Sequence, residues 1–166
     1  MRITEEDIRF MNMAASLAEK NIDEGGGPFG AVIVRDGVVV ATGVNRVTID
    51  NDPTAHAEVN AIRSACSKEH TFNLAGCIVY TSCEPCPMCL SALYWAGVSR
   101  IYYGNTQDDA ASINFSDKFI YSEIDKPQKE RMIPCIKMDG TRTILKFTAS
   151  PKKWLLMNPL SPKFGK

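Results

Sequence analysis

The chain carries no net charge: 19 Lys and Arg balance 19 Asp and Glu over 166 residues. A protein that captures polyanions or an acidic membrane through its overall field needs a positive excess, so neither partner is expected. No run of 18 apolar residues occurs, and Glu5, Glu6 and Asp7 stand where an export signal would have its apolar h-region. Neither a membrane span nor secretion is expected. Internal repeats and low-complexity tracts are absent too, which removes solenoid arrays and disordered linkers from consideration. The cysteines show no regular disulfide spacing, although Cys83, Cys86 and Cys89 fall within one short stretch. That pattern reads as metal chemistry plus buried thiols in a reducing, cytoplasmic compartment, with Cys66, Cys77 and Cys135 as core residues.

What is present suffices for one core: 45% of the residues are hydrophobic, enough for a single domain without disulfide staples. We place that domain at residues 1–150 and an extended tail at 151–166, broken by Pro151, Pro159 and Pro162. From Lys137 onward seven basic residues stand against Asp139 alone, a net +6, so residues 1–136 carry −6. Basic residues this sparse suit a solvated or subunit-contacting end better than a nucleic-acid site.

Thr4 and Asp7 form a capping box before an apolar helical repeat of Ile8, Met11, Ala15, Ala18 and Ile22, which stops at Gly25-Gly26-Gly27. Asp36-Gly37 between two valine-rich runs predicts an antiparallel hairpin. A helix from the His56 region to about Lys68, a strand Cys77–Tyr80, a helix to about Ala96 and a strand Arg100–Tyr103 follow. Short helices are predicted from Gln107, over Lys118–Asp125 and between Pro127 and Pro134, with a last strand at Cys135–Met138. This alternation predicts a three-layer α/β fold, a mixed five-stranded sheet with helices on both faces and ligands at the carboxyl ends of its strands.

Thr81 to Leu90 organises the rest. Pro85 suits a helix's first turn, and Cys86 and Cys89, three apart, share a face near the positive end of the helix dipole, where thiolates are favoured. Upstream, Asp52 or Thr54 is placed to cap a helix bearing His56 and Glu58 in its first turn. His56, Cys86 and Cys89 make a three-ligand set that leaves zinc a fourth, catalytic position. With Cys83 as a fourth ligand the same spacing would be a closed structural site. Glu58 favours the catalytic reading, because a carboxylate beside a metal-activated water can carry its proton; taken alone, it is a first-turn acid favoured by the dipole.

The pairing of His-x-Glu with Pro-Cys-x-x-Cys resembles the zinc-dependent base deaminases. Asn51 to Glu58 and Thr81 to Cys89, with Pro28 to Val34, Gly43-Val44-Asn45 and Phe115 to Tyr121, are similar to bacterial-type guanine deaminases of the cytidine deaminase-like superfamily. The resemblance implies Zn2+ held by His56, Cys86 and Cys89, Glu58 as proton shuttle for zinc-hydroxide attack, and Asp117 as an assisting acid. It assigns Phe29, Asn45, Ala57 and Trp95 to substrate binding. On residue type alone Asp117 is a turn acid or helix cap, Phe29 core, Asn45 a strand-end turn residue, and Trp95 a core or dimer contact. The resemblance further implies guanine converted to xanthine and ammonia by a homodimer, with a C-terminal segment crossing to the partner. Here the chain ends in Phe164-Gly165-Lys166 without a terminal Tyr, so Phe164 is expected to replace the packing of that aromatic but not its hydroxyl hydrogen bond. Guanosine, or another nucleobase or nucleoside, is the alternative substrate; deamination of adenosine in tRNA shares both motifs, but the acidic body argues against it. A non-catalytic zinc-stabilised module is the alternative of another class.

Overall fold

A computed structural model describes residues 2–138 of the chain. The 151–166 tail and the domain boundary at 150 lie outside the described residues. Helix α1 (Glu5–Asp23) begins on the expected capping box: Thr4 Oγ1 accepts from the Asp7 amide at 3.1 Å, and an Asp7 carboxylate oxygen accepts from the Thr4 amide at 2.8 Å. Strands β1 (Gly27–Arg35) and β2 (Val38–Asn45) form the predicted hairpin. Asp36 and Gly37 at its tip have φ of 50° and 75°, the left-handed pair that a tight two-residue turn requires. After the short α2 (Val47–Asp50) come α3 (Ala57–Glu69), β3 (Ile78–Cys83), α4 (Pro87–Ala96), β4 (Arg100–Asn105), α5 (Gln107–Ser112), α6 (Lys118–Asp125) and a 3₁₀ turn, Gln128–Glu130.

The sheet order is β2-β1-β3-β4, with β1 antiparallel to both neighbours and β3 parallel to β4. Residues of β1 alternate between two cores. Val32 and Val34 join Phe10, Ala14 and Tyr80 beneath α1, while Ala31 and Ile33 join residues of α3 and α4, including Ala61 and Leu93, on the other face. Burial on both faces explains why the strand reads as an unbroken apolar run. Full burial of Ile33 or Leu93 contributes about 1.5–3 kcal/mol each.

Both helix layers approach the sheet through a glycine. A Cβ on Gly30 would lie 2.4 Å from the Ala14 carbonyl oxygen, and one on Gly43 would lie 2.2 Å from that of Ala57. Small residues therefore face the strands, which rotates α1 away from the expected stripe. Its buried positions are Phe10, Ala14, Ala18 and Asn21, and Ile8 and Ile22 are exposed.

Three other expectations are corrected. Among the described residues the sheet has four strands, not five: Cys135–Met138 forms no ladder, and Ile136 and Met138 stay exposed, with no layer to bury them. Cys135 is accordingly exposed and Cys66 only half-buried, leaving Cys77 as the fully buried thiol of that trio. Pro87, not Pro85, takes the first turn of α4. No helix among the described residues is long and apolar enough to cross a membrane.

Candidate metal centre and active site

Two helix starts meet at one end of the sheet. His56 is itself the N-cap of α3, in extended conformation, so the helix begins later than Asp52 or Thr54 would have set it. Asp52 instead closes a turn, its Oδ1 accepting from the Thr54 amide at 2.8 Å and from the Thr54 hydroxyl at 2.7 Å. The Arg46 amide donates to the Ala55 carbonyl at 2.9 Å and pins the loop to the end of β2. Cys86 is the N-cap of α4, and Cys89 stands in its first turn.

His56 Nδ1 lies 3.6 Å from Cys86 Sγ and 3.5 Å from Cys89 Sγ, and the three donor atoms all fall within 4.8 Å of one another. A tetrahedral zinc with bonds of about 2.1 Å to nitrogen and 2.3 Å to sulfur spaces its ligands roughly 3.6 Å apart, so the donor set fits the ion in both type and spacing. The Cys89 thiol and, after it, His56 push the Cys86 thiol down against its burial, whereas Cys86 and burial push Cys89 up. Binding of a cation releases the protons of such thiols. Cys83 stands apart from this cluster. Its Sγ approaches the Thr106 carbonyl at 3.6 Å, and burial pushes its thiol up to about 11.

Beside the cluster, Glu58 is only 6% exposed, and the Thr81 hydroxyl donates to its Oε1 at 3.0 Å. Burial raises its carboxyl well above the ordinary glutamate range, so it holds a proton more readily than a surface acid. The cluster opens on a cleft of about 570 Å³ lined by His56, Cys86, Glu58, Phe29, Asn45 and Asp117, among others. That volume suits a small aromatic ligand. Phe29 and Phe115 meet edge to face at 5.2 Å across it. Asn45 accepts the Val47 amide through Oδ1 at 3.2 Å, which leaves its Nδ2 donor for a ligand. Asp117 precedes α6 but makes no capping bond through its side chain, and burial raises its carboxyl too. It faces the cleft rather than the helix amides.

Two residues assigned from the resemblance are not among those that line the cleft. Trp95 is 57% exposed on α4 and does not line the cleft, as its helical phase relative to Cys89 implies. Ala57 is wholly buried in the core between β2 and α3. Thr81 and Glu84 join the site beyond the residues expected from sequence. Thr81 is a hydroxyl within an apolar strand run, a legible sign of a buried polar partner. Glu84 lines the cleft and accepts the Gln107 amide at 3.2 Å, and the Tyr121 hydroxyl donates to the Pro85 carbonyl at 3.2 Å, so α5 and α6 are both tied to the cysteine loop.

Residues 4–105 match the family described as the cytidine and deoxycytidylate deaminase zinc-binding region. The chain is 52% identical to guanine deaminase of Bacillus subtilis over 141 residues, 84% of this chain and 90% of that protein. An X-ray structure of guanine deaminase from Bacillus subtilis superposes with a TM-score of 0.82 at 51% identity, covering 89% of this chain and 93% of that one. A tRNA-specific adenosine deaminase of Agrobacterium fabrum is 37% identical over 114 residues, 69% of this chain and 75% of its own. By fold, donor set and similarity, this chain belongs to the cytidine and deoxycytidylate deaminase zinc-binding family.

Proposed function

We propose that the chain is a zinc-dependent hydrolytic deaminase that converts guanine and water to xanthine and ammonia. The observation that carries this reading is the cluster of His56, Cys86 and buried Cys89, whose His56 and Cys86 open, with Glu58, on a cleft that Phe29, Asn45 and Asp117 also line. Guanine as the substrate is supported by the 52% identity to a guanine deaminase over most of both chains. Zinc held by the three donors supplies Lewis acidity that makes water a nucleophile at neutral pH.

The remaining work falls to the side chains. Thr81 occupies Glu58 Oε1 and leaves the other carboxylate oxygen to take the proton of the attacking water. With its affinity for protons raised by burial, Glu58 passes that proton to the ring nitrogen; the hydroxyl of the resulting adduct then gives up its own proton, which Glu58 carries to the amino group, so that the C–N bond breaks, ammonia departs and the carbonyl of xanthine forms. Phe29 stacks on the base, and Asn45 donates to an acceptor on its edge, a contact that a base lacking the acceptor would leave unpaired. Asp117, its carboxyl raised by burial, assists proton transfer at the leaving amine from the opposite wall.

We read the active species as a cytoplasmic homodimer. Six free cysteines suit a reducing compartment. Exposed Tyr94 and Trp95 on α4 suit burial against a second copy, and the basic tail against the acidic body suits a crossing C-terminal segment. Ammonia release from guanine, guanosine, adenine, cytosine and cytidine, with and without chelator, tests the assignment. Turnover of guanine alone, lost on chelation, is expected; guanine ignored while an adenosine in a tRNA anticodon loop is deaminated would overturn it. Removal of 151–166 should lower both mass in solution and turnover.

A further inference from the structure

Asn21 sits in the last turn of α1 at a position where the helix otherwise buries apolar and small residues, and it is 1% exposed. Its Nδ2 donates at once to the Gly27 carbonyl at 2.8 Å and to the Asn45 carbonyl at 2.7 Å. Gly27 and Asn45 are the Cα partners that close the β1–β2 ladder, and the register slips immediately beyond them, between Gly27 and Gly30. The ladder therefore opens where Phe29 and Asn45 enter the cleft, and a third element supplies the bonds that the strands do not give each other. Only a side chain with two hydrogens on one nitrogen reaches both carbonyls from there. Room for it is kept by Gly26, where a Cβ would lie 2.3 Å from Asn21 Nδ2, and a Cβ on Gly27 would lie 2.9 Å from Asn45 Cγ.

Among the described residues, nothing donates to the buried Oδ1 of the same amide. An unmet buried acceptor is a standing cost that leucine, similar in size, would not carry. Packing alone therefore does not account for the amide, whereas the forked donor does.

We infer that Asn21 is a positioning residue for base recognition, holding the Asn45 backbone, and through it the Asn45 side chain, at the distance from the cleft that reads the purine edge. This rests on the guanine deaminase reading above. Asn21 touches neither the three metal donors nor Glu58, so its loss acts on binding before it acts on chemistry.

The test is a double-mutant cycle of Asn21→Leu and Asn45→Ala, with steady-state kinetics on guanine, zinc content and melting temperature for each protein. Wild-type guanine turnover tests the parent reading by itself; the ratios among variants test this one. Asn21→Leu is expected to raise KM about tenfold, with kcat within about threefold of wild type and one zinc per chain, and to add nothing further in the Asn45→Ala background. Asn21→Ala serves the same cycle if Asn21→Leu does not fold. An unchanged KM, or losses that multiply in the double variant, would reduce Asn21 to a structural residue and overturn the inference.

Discussion

At the scale of single residues, the site separates groups that bind metal from groups that move protons. Cys86→Ser is expected to strip zinc from the purified protein, whereas Cys83→Ser should retain it, because the Cys83 thiol lies outside the donor cluster and stays protonated; metal analysis of both variants decides the matter. Glu58→Gln keeps the hydrogen bond from Thr81 available and removes the titratable oxygen, so zinc content and melting temperature should hold while kcat falls by about two to four orders of magnitude. Asp117→Asn should cost less, and near-full activity in Glu58→Gln would transfer the proton-shuttle role to Asp117. The metal donors were legible because two thiols and an imidazole at those spacings have few uses besides holding a cation. Asn21 was not, because an Asn in an amphipathic helix looks like any surface polar residue until the strand carbonyls it serves are placed beside it.

Elements follow a different logic, in which backbone approach outweighs side-chain size. Gly43→Ala would drive a Cβ into the Ala57 carbonyl oxygen at the first turn of α3, next to His56 and Glu58. A loss of about 1–3 kcal/mol in denaturant unfolding, together with weakened zinc retention, is expected, since the strand cannot yield without moving the helix that starts at the metal. The start of α1 supplies a pH test. Asp7 accepts from the Thr4 amide and hydroxyl and from the Tyr80 hydroxyl, and these bonds hold its carboxyl below the ordinary value. A depressed carboxyl stabilises the fold above its unfolded pKa of about 4 and ceases to do so as pH falls through the lower folded value. Asp7→Asn should therefore melt below wild type near neutral pH, with the gap closing in acid; a gap constant with pH would show that the charge plays no part. The capping box, the hairpin turn and the strand–loop–helix around the cysteines were readable from local chemistry alone. The phase of α1 and the missing fifth strand were not, because glycines on a strand decide which helix face lies against it, and burial decides whether an apolar segment such as 135–138 pairs.

For the whole molecule, stability is graded across the site. β1 is bonded to a strand on either side and covered by a helix layer on either face, whereas α6, which carries Asp117 at its start, buries none of its residues. Amide hydrogen exchange should report this directly: Val32, Ile33, Val79 and Tyr80 should exchange last, near the free energy of global unfolding, and the amides of α6 early, by local opening. Uniform protection across both regions would contradict the gradient. The expected gradient makes the sheet that organises the metal donors the slow part of the protein and the Asp117 wall of the cleft the fast part. On that expectation a flat base would enter and its product leave by movement of one wall, on a timescale at which the spacing of His56, Cys86 and Cys89 would not change.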